Sequence, residues 1–483
     1  MATRAAPAPP SEPKVPPPPR MSNSSFKRLY DDFSAEWRGR GRFPPGPQLP
    51  SVKRTRQILR DPLPLLLSMY EEYGPIFSVR LVHSPVVFML GPEANHFVTV
   101  AHPENFHWRE SSFGDLIPLL GDGLLTIDEA YHDQARAIMM PAFHREQVDS
   151  MIEAMTTEAE AAIASLRPGE VVDIYDWMRR LAMRIAMRAL LGLDPDDAGS
   201  GAAAAEHFER ALSFYGVDLP LRLLKGPGSP WRRMQEHRRA LDEIVYAEIG
   251  RRRAARDPAR MDILSLLVGA HDEDGNGLTD KEVRDQTMTL MFAGHDTSTS
   301  TVSFMMHELA RHPDVVAKLQ EEQDRVLDGS SPSLDQLEKE MPYLEMVMDE
   351  VLRLYPPAWM GPRRAVKDFE FNGHGVPAGA YVNYCSWASH RIPEFFPEPE
   401  AFVPERFTRE RKAALPRGAY VPFGGGQRVC IGKRFGQTEV KLVATMLLQR
   451  LRFDAMPGRT MTVRQMPTLS PKGGLKMRVL PRN

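Results

Sequence analysis

Two cysteines, Cys385 and Cys430, are all that the 483 residues contain. That scarcity excludes a disulfide framework and predicts a reducing compartment. An excess of charge of one sign is lacking too. The 61 basic and 63 acidic side chains leave a net charge of −2, so nothing argues for a nucleic-acid partner. No apolar run approaches the roughly 20 residues needed to cross a bilayer. A membrane anchor is therefore not expected, and a soluble, cytoplasmic protein is. Internal repeats are absent as well. Proline, by contrast, is crowded at one end: residues 6–19 read APAPPSEPKVPPPP, which predicts a disordered Pro-rich segment over residues 1–23.

Order is expected to begin between Ser24 and Pro47, where Pro44-Pro-Gly-Pro47 marks a rigid turn before a helix near Thr55 to Tyr73. Ile76 to Leu81 and Val86 to Leu90 read as paired strands. From about Asp128 onward the pattern is largely helical, with Gly199–Ala205 and Leu223–Pro230 expected as loops. The run Arg251-Arg252-Arg253, followed by Asp257-Pro258, reads as a solvated loop. His271 to Gly277 imitates the start of a calcium loop, but the position of the bidentate glutamate holds Val283. The segment reads instead as a turn before a helix capped by Thr279, with Glu282 completing a capping box. That helix is expected from about Asp280 to Arg311, roughly 50 Å long, with Pro313 stopping it.

The most informative stretch is Phe423-Gly-Gly-Gly-Gln-Arg428-Val-Cys430-Ile-Gly432. Its glycines let the backbone turn closely against a flat cofactor. The run from Lys433 to about Leu451 has helical periodicity, so Cys430 falls at a helix start, where free N–H groups and the dipole stabilise a thiolate. A thiolate on haem iron favours O–O cleavage. Within the long helix lies Ala293-Gly294-His295-Asp296-Thr297. Gly294, together with a Thr297 hydroxyl competing for a backbone carbonyl, predicts a widened turn. Ala293 and Thr297 share a face, and their small side chains leave room for a diatomic ligand. Glu350 and Arg353 stand at i and i+3 on another helix. Cys385 reads as a core residue, and His295 as packing or surface.

The loop around Cys430, with Phe423, Gly424, Gly426, Arg428 and Gly432 in register, resembles the haem-binding loop of the cytochrome P-450 family. Ala293–Thr297, Glu350-Val-Leu-Arg353 with Pro356-Pro357, and Pro404-Glu-Arg406-Phe407 follow the family's order, and the resemblance spans roughly residues 45 to 480. It implies a mainly α, triangular domain with a small β-rich lobe, occupying residues 24–483 as one haem-thiolate domain of the soluble bacterial type. Haem b would sit between the distal helix and the cysteine loop, with Cys430 as the iron ligand. Phe423, Ala293 and Gly294 would border it, and His132, Arg136, Arg363 and Arg428 would meet its propionates. Arg363 is preferred to Arg364 on spacing alone. Asp296 and Thr297 would carry protons and orient oxygen; Glu350, Arg353 and Arg406 would hold the cysteine loop in place.

The implied reaction inserts one atom of O2 into a C–H or C=C bond of a hydrophobic small molecule. Phe113, Ile117, Ala293, Trp359 and Leu469 are the expected pocket, with Met360 near it, suited to a fatty acid, terpenoid or polyketide. NAD(P)H-derived electrons would arrive through a separate ferredoxin or flavodoxin and its reductase, docking near Lys433 and Arg434. A monomer is expected. Two alternatives stay open: a peroxide-driven peroxygenase, disfavoured by Asp296 and Thr297, and a haem-thiolate sensor that binds without turnover.

Overall fold

The structure is a computed structural model that describes residues 17–18, 25–39, 41–81, 84–217, 219–222, 224–255, 257, 260–272, 275–458 and 460–482. The predicted disorder over residues 1–23 thus falls outside the described residues, apart from 17 and 18. Two compact units emerge. One is built mainly from residues 115–151 and 186–292, the other from 22–114, 152–185 and 293–483.

The first unit is helical. Glu129–Met139 places His132 and Arg136 one turn apart, as their spacing predicts. Residues 201–205, expected as a loop, instead open the helix Gly201–Leu212, because four successive alanines are the strongest helix formers. Its buried Ala204, Phe208 and Ala211 pack against the helix Pro230–Ala255, which buries Leu241, Val245 and Ile249. Arg251–Arg253 lie in this second helix and not in a solvated loop. Arg252 is buried because Glu248 (2.7 Å) and the carbonyl of Leu191 (2.9 Å) hold its guanidinium. At the start of the long helix the capping box forms as expected: Glu282 accepts from the Thr279 N–H at 2.8 Å, and Thr279 Oγ1 accepts from the Glu282 N–H at 3.3 Å. Before it, Asp272 closes a turn by accepting from the Asn276 N–H at 2.8 Å; Asp274 lies outside the described residues.

The second unit carries the sheets. Helix α1 (Ser25–Arg38) is followed by α2 (Val52–Arg60) and α3 (Pro62–Tyr73). The single helix expected over 55–73 is therefore broken at Asp61, because a residue before proline is pushed out of the helical region; its φ is −154°. Strands β1 (Ile76–Leu81) and β2 (Ser84–Met89) pair antiparallel, with Ile76 opposite Met89. β2 runs parallel to Tyr381–Tyr384, which pairs antiparallel with Gly361–Ala365, and Phe106–His107 completes five strands. Alternation sends Ile76, Val87 and Val382 to one apolar cluster and Phe77, Val79 and Phe88 to another. Both faces of the sheet are thus covered. Cys385 lies in the second cluster, fully buried, as expected for a core residue, and burial pushes its thiol up to about 12.

The long helix runs from Asp280 to Leu309 and stays α-helical throughout, so the widened turn expected near Gly294 is absent. Another helix spans Lys433–Leu448 and yields at Leu451 to a strand paired with Lys476–Pro481. Among the described residues, no helix is long and apolar enough to cross a membrane.

Candidate functional site

Cys430 lies in an irregular loop two residues before Gly432, the N-cap of the helix Lys433–Leu448, and is exposed. Backbone bonds tie the loop down: Cys430 N–H to Phe423 O at 3.0 Å and Val429 N–H to Gly426 O at 3.1 Å. The close approach that demands glycine is made to protein chain. A Cβ at Gly426, whose φ is +59°, would stand 2.2 Å from the Thr99 carbonyl oxygen. The glycines press the loop onto the segment Phe97–Ala101.

The Glu350–Arg353 pair supports this loop from beneath, through a residue that sequence reasoning missed. Arg353 donates to Glu350 through Nε (2.7 Å) and Nη2 (2.8 Å), and Arg406 Nε stands 3.4 Å from Glu350 Oε1. Arg353 Nη1 also donates to the His390 carbonyl at 3.1 Å, and His390 Nε2 accepts from the Val421 N–H at 2.9 Å. Complete burial, then the Arg353 charge, pushes His390 down to about 3. The ring is therefore neutral and free to accept. Both Glu350 and Arg353 are fully buried, so Arg353→Ala strands a buried carboxylate and is expected to cost about 3–5 kcal/mol. Urea unfolding checks this; a loss below about 1 kcal/mol, the range of an exposed pair, would mean that Glu350 is solvated.

Arg363 and Arg428 come together around Trp108, which the motifs did not single out. The Arg363 guanidinium lies 4.0 Å from the Trp108 ring centre, and that of Arg428 lies 5.0 Å from it. The structure separates Arg363 from Arg364 by strand alternation. Arg364 turns to Asp32 at 2.9 Å, while Arg363 is buried between Trp108 and Tyr384. Phe113 stacks on Trp108 with ring centres 5.0 Å apart.

From Ala293 to Met306 the long helix is buried at every position except Ala293, Gly294 and Thr297. These three share one face and form a window of small side chains. Thr297 Oγ1 donates to the Ala293 carbonyl at 2.7 Å, so its oxygen lone pairs are left to accept. His295 is packed, not exposed: its Nε2 lies 3.1 Å from the Arg179 carbonyl.

Beside the window, Asp296 is buried, with Oδ1 at 3.3 Å from His295 Nδ1 and 4.0 Å from Arg179 Nε. Burial pushes its carboxyl up, but His295 and Arg179 more than offset this, and the net shift is downward. Oδ1 nonetheless makes no hydrogen bond to the described residues. Such an orphaned buried oxygen suits a mobile proton-bearing partner such as water. Arg179 is 29% exposed and links this carboxylate to solvent.

Glu439, also missed, is buried and accepts from Ser298 Oγ at 2.6 Å. Burial raises its carboxyl to about 7 from 4.5, only partly offset by Ser298 and His295. The native state thus binds the extra proton. The stability held by this protonated form is complete below about pH 4.5 and is lost as pH rises through about 7, up to about 3 kcal/mol. Glu439→Gln should flatten this slope; urea midpoints that fall equally with pH in both proteins would rule out Glu439 as its source.

In the first unit His132 is buried, with Nδ1 at 3.0 Å from Asp133, and Arg136 is half-buried. Ile117, also there, is half-buried. Trp359 and Leu469, expected to border a pocket, belong instead to the closed apolar cluster beneath the sheet, and the Trp359 indole N–H donates to the Gln465 carbonyl at 2.9 Å. They are wall residues because a Trp with a satisfied N–H and a packed ring presents no free surface. Arg434 pairs with Glu338 at 2.9 Å, whereas Lys433 is exposed over the Phe423 ring.

Among the described residues, no cluster of three or more His, Cys, Asp and Glu side chains could hold a metal ion. A single exposed cysteine suits an iron whose remaining ligands come from a macrocycle. The paired arginines at Trp108 suit carboxylate groups, and the window at Ala293, Gly294 and Thr297 suits a flat ring with a small ligand. The residues therefore fit a haem.

The family "Cytochrome P450" matches residues 44–478. Cyclooctat-9-en-7-ol 5-monooxygenase of Streptomyces melanosporofaciens is 35% identical over 86% of this chain and 90% of its own length. Pentalenene oxygenase of Streptomyces avermitilis is 30% identical over 85% and 90%. Among solved structures, retinoic acid-bound cyanobacterial CYP120A1 superposes with a TM-score of 0.80 at 30% identity, covering 91% of this chain and 99% of that one. The haem domain of cytochrome P450DA gives 0.82 at 25%, covering 91% and 98%. With monooxygenases among its relatives and the mainly helical fold of those structures, this chain belongs to the cytochrome P450 family.

Proposed function

We propose that the chain is a haem-thiolate monooxygenase that places one atom of O2 in an apolar, terpene-like substrate by C–H hydroxylation or epoxidation. The family match over 44–478 supports treating residues 24–483 as one functional domain. The observation that carries the proposal is Cys430, exposed in a loop that its own backbone bonds hold in shape. The terpene-like substrate rests on relatives named for cyclooctat-9-en-7-ol and pentalenene.

Haem, when bound, supplies the iron at which O2 is activated, with thiolate electron density favouring O–O cleavage. Cys430 is the proposed ligand, with Phe423 beside it. Arg363 and Arg428 neutralise the propionates, and the same role is proposed for His132 and Arg136. Ala293 and Gly294 leave space by having almost no side chain. Thr297 accepts a hydrogen bond through an oxygen whose own proton is committed to Ala293. Asp296 carries protons from the side of Arg179 towards that hydroxyl. Phe113, beside Trp108, and Ile117 are the remaining substrate contacts proposed.

Electrons are proposed to come from a ferredoxin or flavodoxin with an NAD(P)H-dependent reductase, docking near the exposed Lys433. Turnover with such partners should show substrate-dependent NAD(P)H consumption matched by oxygenated product. Product from peroxide alone, with none from the reductase system, would instead identify a peroxygenase. Binding without product in either assay would leave a sensor. A Soret shift on adding cyclic terpenes identifies the ligand class.

A further inference from the structure

The second unit presents an apolar surface that the oxygenase reading does not use. On α1, Leu29, Phe33 and Trp37 recur every four residues beside Tyr30, and all are exposed, Tyr30 by 72% and Trp37 by 73%. The opposite face of the helix is buried at Asp32 and Ala35. α2 buries no residue at all. Its exposed positions are Val52 (86%), Lys53, Arg56, Leu59 and Arg60, one face of a helix with apolar and basic residues interleaved. Glu36, next to Trp37, pairs with Arg80, whose Nε donates to the Gln48 carbonyl at 2.6 Å, next to the exposed Leu49. Both helices pack on the β1–β2 hairpin. Large aromatic side chains of a monomer are seldom left in water in such a row.

From this arrangement we infer that α1 and α2 form a peripheral docking surface for an anionic lipid bilayer. Charge selects the occupant. α2 carries Lys53, Arg54, Arg56 and Arg60 and no acidic residue, in a chain whose net charge is −2; Asp31 is the exposed acid on α1. A second copy of the chain packed on this face about a twofold axis would gather both copies' cations in one interface, with Asp31 as the exposed acid on the two helices. A bilayer takes the aromatic rows into its interface while its phosphates meet the cations, the arrangement of an amphipathic helix lying in the membrane plane. Each basic residue at an anionic surface strengthens binding roughly five-fold. Such a surface would give the enzyme access to apolar substrates dissolved in lipid; that consequence rests on the proposed function, whereas the binding itself does not.

The test floats the haem-loaded full chain with vesicles of equimolar phosphatidylglycerol and phosphatidylcholine, and with phosphatidylcholine alone. Partition onto the anionic vesicles should be at least about ten-fold higher and should weaken with salt. It should fall by about 100-fold in Lys53→Gln/Arg56→Gln/Arg60→Gln and by at least about ten-fold in Tyr30→Ser/Phe33→Ser/Trp37→Ser, with the haem spectrum unchanged. In the unmodified protein, brominated acyl chains should quench the emission component that Trp37→Phe removes. Failure to float, equal binding to both vesicles, or an unquenched Trp37 would overturn the inference. So would a concentration-dependent dimer abolished by the aromatic variant, which would make the surface a contact between copies.

Discussion

Cys430→Ser should leave no measurable oxygenase turnover while the protein stays folded. A neutral hydroxyl is a far weaker donor than a thiolate and supplies no electron push to the iron. The chain should still fold, because the loop is held by backbone bonds of Cys430 to Phe423 and of Val429 to Gly426, neither of which involves the sulfur. A single cooperative urea transition is the matching expectation for a folded variant. The spectroscopic signature is loss of the red-shifted Soret band of the reduced, carbon monoxide-bound form. If that band persisted in the serine variant, a different residue would hold the iron and the assignment of Cys430 would fail.

Asp296→Asn should lower kcat by about 100- to 10,000-fold, the contribution of a positioned proton carrier, with little effect on substrate affinity. The amide keeps the size of the side chain but cannot take up and release a proton. The carboxylate is held ionised by His295 and Arg179 against the cost of burial, so the asparagine variant also removes the charge that those two groups face. A larger solvent isotope effect on turnover should accompany the loss, because proton delivery becomes the slow step. Unchanged kcat, or a fall in kcat with no change in the isotope effect, would show that protons reach the site by a route that bypasses Asp296. Arg179, 29% exposed and 4.0 Å from Asp296 Oδ1, is the proposed entry to that route, and it stands 117 positions earlier in the chain.

Relations within a turn or two of helix were legible before any coordinates. The Thr279–Glu282 box, the Glu350–Arg353 pair and the shared face of Ala293 and Thr297 all formed, because helix geometry alone brings residues three and four apart together. Local reading failed where a neighbour changed the outcome. Pro62 broke the helix expected over 55–73, the alanines after Gly201 made a helix where glycine suggested a loop, and the Thr297 hydroxyl bond formed without widening its turn.

By itself the amino-acid order determined the sequence of motifs around one cysteine and hence the family. These depend on residue types at short, fixed spacings. Only the tertiary structure decided that Arg363 faces Trp108 while Arg364 turns to Asp32, that His390 joins the Glu350–Arg353 pair to Val421, and that Ser298 reaches Glu439. Those partners lie tens to hundreds of residues apart in the chain. What brings them together is the burial of two sheet faces and of a long helix, since a buried polar group must find a partner wherever packing places one.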